Sequence, residues 1–487
     1  MTKRNTEKNT IYNIIKSIAG IIFPLITFPY ISRVLGAENV GKINFGNSVI
    51  SYFSLIATLG ISSYAIRECS KRKDNKEELS QFASQIYSIN IITTFVAYAA
   101  LAITLIFAKS LENYRTLIMI QSTTILFTTL GADWINTAFE DFKYITVRTV
   151  ITQIISIICM FIFVRNPDEY IIYAIISVLA GCGGNIMNII YRRKFCKMKF
   201  TFNMEIKKHI VPIMLLFSMI LAQIIYCNSD ITILGLVKGD YEVGLYSVSV
   251  KIYNIVNSLV ASISIVVMPK LSQAFAENDF KSVNSNVKYA LQFIVTLGLP
   301  CIAGLNLLTK QLIICVAGEE YAGASLSLHI LTISIAASFI GGWIGNITML
   351  PAGKESICLR AGIVSALLNI ILNLIFIPIW GLNAAAGTTA ISEIVGVIIL
   401  LPKMDKRIKI DNVWNIIKSP IVGSIAIIAF SLIMKSLITN IWLLIGITIA
   451  GSAIIYFAIL IIMKNEFVNG FVEQVIIKKY GDRQDDF

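Results

Sequence analysis

Apolar residues fill this chain in long blocks separated by short polar connections. A membrane-crossing helix needs about 20 apolar residues, and on that measure the blocks predict about fourteen spans. They lie near 11–31, 44–66, 80–106, 116–138, 149–164, 170–190, 210–233, 244–268, 288–307, 327–350, 360–378, 383–401, 419–438 and 442–463. The first block is too long for a cleaved signal and no small-residue cleavage pattern follows it, so it is expected to stay as a span. The longest connection on one side runs through 308–326. The longer ones on the other side, 191–209 and 402–418, follow the sixth and twelfth spans. The chain therefore reads as 1–205, a six-helix lobe; 206–410, a second such lobe; and 411–487, a helix pair with a tail.

Composition agrees. Of 487 residues, 56% are hydrophobic and 14% are charged, against about 25% charged in ordinary soluble domains. An all-α polytopic membrane protein fits, and a soluble enzyme, a disordered chain or a disulfide scaffold does not. The net charge of +12 resembles that of a nucleic-acid binder until its placement is read. Of the 41 Lys and Arg, 31 fall on alternate connections, the N-terminus and 191–209 among them. By the positive-inside rule that set is cytoplasmic, with both termini inside. The excess is a topology signal, and no nucleic-acid partner is expected. Eight cysteines form no CxxC pair and two histidines stand far apart, so no zinc site is expected.

A repeat supports the division into halves. Gly36-Ala-Glu-Asn-Val-Gly41 leads into span two and Gly239-Asp-Tyr-Glu-Val-Gly244 into span eight. Trp134-Ile-Asn has a counterpart in Trp343-Ile-Gly-Asn, and Arg148 one in Arg360. Three matches in order at similar offsets point to duplication. Six spans per repeat leave both halves in one orientation, related by an axis along the membrane normal.

Polar positions inside the spans carry the candidate chemistry. Asn47, Ser51, Ser54 and Thr58 form one stripe at helical spacing, and Ser247, Lys251, Asn254 and Ser258 form another. Hydroxyls and amides alone read as helix–helix contacts. Lys251 shifts the reading, because an ammonium at mid-span needs a partner or a wet cavity. Lys16, Asp133, Asp230 and Glu393 are further ionisable groups within spans. Asp230 with Lys251 reads either as a structural ion pair or as a site. Asp133, beside Trp134, reads equally as an interfacial anchor, and Lys16 lies near enough to a span end to snorkel. Asn369 and Asn373, at i and i+4, present two amides on one face. With Asp230 they offer oxygen ligands to a small hard cation, or else form an amide contact between helices. No nucleophile–base pair, P-loop or GxGxxG occurs, and Gly181-Cys-Gly-Gly184 reads as close helix packing.

Several stretches resemble bacterial polysaccharide flippases of the multidrug/oligosaccharidyl-lipid/polysaccharide exporter superfamily. They are Pro29-Tyr-Ile-Ser-Arg33-Val-Leu-Gly36 with Gly41; Leu59-Gly-Ile with Arg67-Glu68; and Asp133-Trp134 through Glu140, Phe142 and Arg148. Further along come Val243-Gly-Leu-Tyr246, Met268-Pro269, and Leu372-Asn373 through Pro378, Gly381 and Ala384-Ala. The resemblance covers about residues 11–400. It implies two six-helix lobes around a central cavity, working by alternating access in the bacterial cytoplasmic membrane. The implied substrate is an undecaprenyl-diphosphate-linked oligosaccharide, with polymerase and chain-length machinery as candidate partners. Lys16 and Lys251 resemble cationic cavity positions of related lipid II flippases, with Asn47, Ser51 and Asn254 beside them. Asp230, Asn369, Asn373 and Thr389 resemble their sodium site, although an Asn pair stands where relatives carry a second acid. Sodium or a proton is thus the implied coupling ion, and no other cofactor is expected. Arg33, Arg67, Asp133 and Glu393 complete the candidates. A multidrug exporter of the same superfamily is the rival reading, and a membrane polymerase would need a longer external loop.

Overall fold

The computed structural model describes residues 3–470. In chain order its helices are α1 (Lys3–Thr58), α2 (Ile61–Ser70), α3 (Lys76–Phe107), α4 (Arg115–Gly131), α5 (Trp134–Ala138), α6 (Phe142–Phe163) and α7 (Tyr170–Tyr191). There follow α8 (Ile206–Lys238), α9 (Asp240–Ala276), α10 (Phe280–Ala317), α11 (Ser325–Gly342), α12 (Glu355–Leu400), α13 (Val413–Leu437) and α14 (Ile441–Ile462). The described residues contain no strand. Hydrocarbon offers the backbone no hydrogen bonds, so each crossing segment must satisfy its own.

Eleven stretches among the described residues are long and apolar enough to cross a membrane. The fourteen apolar runs map onto fewer elements for three reasons. Runs one and two share α1, which is broken only at Gly36 (φ 74°, ψ 171°). Runs eleven and twelve share α12, broken at Gly381 (φ 55°, ψ −134°). Run four becomes the 17-residue α4, about 25 Å long at 1.5 Å per residue, followed by the short α5. The 308–326 connection is shorter than expected as well. Lys310 and Gln311 lower its hydropathy but not its helicity, so α10 continues to Ala317 and a 3₁₀ turn, Glu319–Ala324, follows.

Helix starts are set by side-chain caps at the connections. Asn75 accepts from the backbone N–H groups of Glu77 and Glu78, Asp141 from that of Tyr144, Asp279 from that of Ser282, and Asn440 from those of Trp442 and Leu443. Each cap supplies an acceptor to donors the first turn leaves unpaired.

The chain forms two compact units that divide between Ser247 and Val248. In the first, α1 packs against α3, α4, α6 and α8, and α7 packs against α4 and α6. Below them Tyr64, Phe82, Trp134 and Ile213 join α2, α3, α5 and the start of α8 in one apolar cluster, with Cys196 beside them. Burial pushes the Cys196 thiol up to about 11, so it packs as a neutral group. In the second unit α11 packs against α10 and α12, and the α13–α14 pair against α10. Tyr456 of α14 anchors that pair by donating to the Thr296 carbonyl at 2.6 Å. An apolar cavity of about 440 Å³ lies beside this anchor, between Leu297, Leu305, Ile427 and Thr448.

The two repeated glycine stretches meet inside the first unit. A methyl carbon on Gly41 would sit 1.8 Å from the Asp240 carbonyl oxygen, and one on Gly244 would sit 1.9 Å from that of Ala37. Gly36 and Gly239, five residues ahead of each, both hold positive φ. On neighbouring faces of α1, Phe45 fills the space that Gly235 leaves, and Gln121 of α4 faces Gly46. G41V and G244V are therefore each expected to destabilise the protein by about 3 kcal/mol or more, the upper range of overpacking. G387A, which adds its carbon to open space, should be neutral or stabilise by up to about 1 kcal/mol through helix propensity. Apparent melting temperatures in detergent check the contrast.

Candidate functional site

The glycine contact carries Tyr246, two residues beyond Gly244, onto α8. Its phenol donates to Asp230 Oδ2 at 2.8 Å, and both side chains are buried. Two residues on from Asp230, the Thr232 hydroxyl lies 3.0 Å from Tyr52 Oη and 3.0 Å from Ser48 Oγ, both on α1. A buried carboxyl group thus sits among a phenol and a seam of hydroxyls drawn from α1, α8 and the first turns of α9.

The stripe expected on α1 occupies the adjacent face. Asn47 is exposed, and Ser51, Ser54 and Thr58 are half-buried. Ser51 donates to the Ser48 carbonyl at 2.6 Å and Thr58 to the Ser54 carbonyl at 2.9 Å. Hydroxyls bonded back into their own helix make no demand on a neighbouring one. Lys16 is half-buried on the first segment of α1. One turn earlier the Tyr12 carbonyl accepts from Thr146 of α6 at 2.8 Å. Arg33 is exposed and donates to the Pro29 carbonyl at 2.6 Å. Arg67, on α2, lies 3.4 Å from Glu68.

Asp133 is engaged by Arg148 of α6, which also donates to the Gly184 carbonyl of α7 at 2.9 Å. Asn136 donates to Asp133 at 3.2 Å and also to Asn188, which in turn donates to the Gly131 carbonyl at 2.7 Å. A carbon on Gly184 would already touch the Arg148 chain at 3.5 Å. The glycine run of α7 thus also meets an arginine: its last member accepts from the Arg148 guanidinium through its carbonyl. Asp133 ties α5 to α6 and α7.

In the second unit Lys251 is half-buried on α9 and Asn254 is exposed. Tyr253, between them, donates to Glu393 of α12 at 3.5 Å and accepts from Asn257 at 3.5 Å. Asn257 in turn accepts from Ser338 of α11 at 3.1 Å. Asn369 and Asn373 are fully buried, and Asn373 Nδ2 donates a hydrogen bond to Asn369 Oδ1 at 3.0 Å. Thr388 donates its hydroxyl to Asn373 Oδ1, and its neighbour Thr389 is also buried.

Sequence reading missed Tyr246, Tyr52, Thr232 and Thr388 as site residues. Tyr246 stood in a motif already singled out. Thr388 had no signal of its own beside Thr389, and along an unbroken helix the fifteen residues from Asn373 would hold it about 22 Å away. The break at Gly381 folds the chain back and brings Thr388 to the amides.

Membrane-length apolar helices with amides, a carboxyl and an arginine buried among them define a multi-pass, all-helical membrane protein. The chain belongs to the family described as "Polysaccharide biosynthesis protein", whose model matches residues 7–275; a second family, MatE, matches residues 214–375. Among curated relatives, a Shigella dysenteriae protein described provisionally as an O-antigen transporter is 23% identical over 369 residues, covering 75% of this chain and 91% of its own. The capsular polysaccharide biosynthesis protein CapF of Staphylococcus aureus is 25% identical over 407 residues, covering 80% of this chain and 97% of its own. Among solved structures, the lipid II flippase MurJ in an inward closed conformation is 19% identical. It superposes with a TM-score of 0.74 over 95% of this chain and 100% of that one.

The Asp133–Arg148 clamp makes a signed prediction. Arg148 is 5% exposed and Asp133 35%, so removing the acid strands a cation that water cannot reach. D133A is expected to cost about 3 kcal/mol and R148M only about 1–2 kcal/mol, because water solvates the carboxylate left behind. The double variant should recover part of the D133A loss. Thermal unfolding of the three variants in detergent reads the order.

Proposed function

We propose that this protein is a flippase that moves undecaprenyl-diphosphate-linked oligosaccharide repeat units across the bacterial cytoplasmic membrane, for capsule, O-antigen or exopolysaccharide synthesis. The observation that carries the reading is the family membership, reinforced by relatives described as glycan transporters and capsule proteins across most of their length. A fold shared with a lipid II flippase supports it. The basic set of connections favours cytoplasmic termini.

The physical problem is a diphosphate head group that cannot cross about 30 Å of hydrocarbon unaided. Its hydration must be replaced by fixed cations and hydrogen-bonding groups while the prenyl tail stays in lipid. On this reading Lys16 and Lys251 neutralise the diphosphate, and Asn47, Ser51 and Asn254 offer hydrogen bonds to the glycan. Exposure of both asparagines and the self-satisfied hydroxyl of Ser51 suit such a surface. Asp230 is the coupling group, exchanging a proton or sodium ion between states. Its setting among Tyr246 and the Tyr52–Thr232 seam suits a carboxyl whose charge must be accommodated away from water. Asn369 and Asn373, fully buried on α12, are separate candidates for holding the coupling ion.

Deleting the gene should leave lipid-linked repeat units on the cytoplasmic leaflet, and K251E should reproduce the block in a folded, membrane-inserted protein. Export that persists in K251E together with new resistance to cationic drugs would favour a drug exporter. In reconstituted vesicles, collapsing the proton and sodium gradients should slow flipping at least about tenfold, an energetic bias of about 1.4 kcal/mol. D230N should remove that gradient dependence.

A further inference from the structure

The connection between α7 and α8 is not a slack linker. From Lys197 to Thr201 it runs extended along α3, and three serines one helical turn apart receive its alternate backbone N–H groups. Lys197 donates to Ser80 Oγ at 3.3 Å, Lys199 to Ser84 Oγ at 3.1 Å and Thr201 to Ser88 Oγ at 2.8 Å. The match is metric. Four residues of helix rise about 6.0 Å and two residues of extended chain about 6.6 Å, so the two periods stay in step over three bonds. Both ends are pinned. The Arg192 guanidinium lies over the Tyr87 ring at 4.5 Å, and Gln85 donates to Glu205 at 3.1 Å.

With its backbone held against α3, the segment turns Lys197, Lys199, Phe200 and Phe202 outward. Phe202 is 90% exposed and Phe200 45%, the two rings meeting edge to face at 5.2 Å. Water is a poor cover for this pair. The direction of the ladder says what covers it instead. It climbs α3 from Ser80 to Ser88, from the helix start into its apolar run, so the rings lie deeper along α3 than the lysines. Between 192 and 208 seven basic residues stand against one acid, Glu205. Lys208 and Gln85 hold the Glu205 carboxyl below the ordinary carboxylate range, and it stays charged in its pair with Lys208 at 3.1 Å.

We infer that the 197–202 segment is a lipid-surface anchor, its serine-held backbone presenting Lys197 and Lys199 to anionic phospholipid headgroups and Phe200 and Phe202 to the acyl boundary beneath them. Basic side chains beside a membrane-crossing helix are drawn to anionic leaflets, and aromatic rings prefer the interface. The ring pair below the cations selects a leaflet over a soluble acidic partner, which would meet the lysines but leave the rings uncovered. The anchor is independent of the transported substrate.

F202W, a conservative change at an exposed position, reports on it in the full-length protein. Its emission is taken as the difference from wild type in proteoliposomes of mixed phosphatidylglycerol and phosphatidylcholine. Brominating the phosphatidylglycerol acyl chains should quench the added tryptophan at least about threefold more than brominating the phosphatidylcholine, and K197E/K199E should bring the ratio to parity. Equal quenching by the two lipids before the lysines are changed would overturn the anionic preference. Emission untouched by brominated lipid, whether open to aqueous iodide or shielded from it, would overturn the anchor. A matching elution profile for each variant shows that the fold is retained.

Discussion

Two backbones that approach with no room for a methyl carbon set the first unit's geometry. Gly41 and Gly244 put helix backbone against helix backbone, and each is launched by a glycine at positive φ five residues earlier. In hydrocarbon, association between helices draws on packing more than on exclusion of water, so such an approach is where close contact is available. Its consequence reaches the chemistry. Tyr246 lies two residues beyond Gly244, and a larger residue there would lift the phenol away from Asp230. The seam of Ser48, Tyr52 and Thr232 depends on the same face of α1, held in place by Phe45 against Gly235.

A second constraint is that polar groups within the helices must be answered locally. Many hydroxyls bond to the carbonyl three or four residues back, as Ser51 and Thr58 do. Larger groups draw on neighbouring helices: Gly184 gives Arg148 a carbonyl, and Asn136 and Asn188 extend the network to Gly131. The amide pair of α12 is met by Thr388 across the break at Gly381.

The repeat that the sequence displays is unequal in its chemistry. Trp134 and Trp343 match in sequence, yet the first adjoins the Asp133–Arg148 clamp, while the second opens a stretch of π-helix, Trp343–Met349, and Arg360 is exposed.

The amino-acid sequence by itself determined that the chain is a bundle of apolar helices, which connections carry the basic charge, and which glycines recur. These follow from properties of single residues and of short windows: hydropathy, charge and backbone freedom. It also brought Asp230, Asn369 and Asn373 forward, because polar groups in apolar runs are costly wherever they sit. Only the tertiary structure decided their company. That Tyr246 reaches Asp230, that Thr388 meets Asn373, and that three serines of α3 hold the Lys197–Thr201 backbone depend on helix phase after a break and on contacts between segments far apart in sequence. Periodicity is blind to both, since a single non-helical glycine rotates everything that follows.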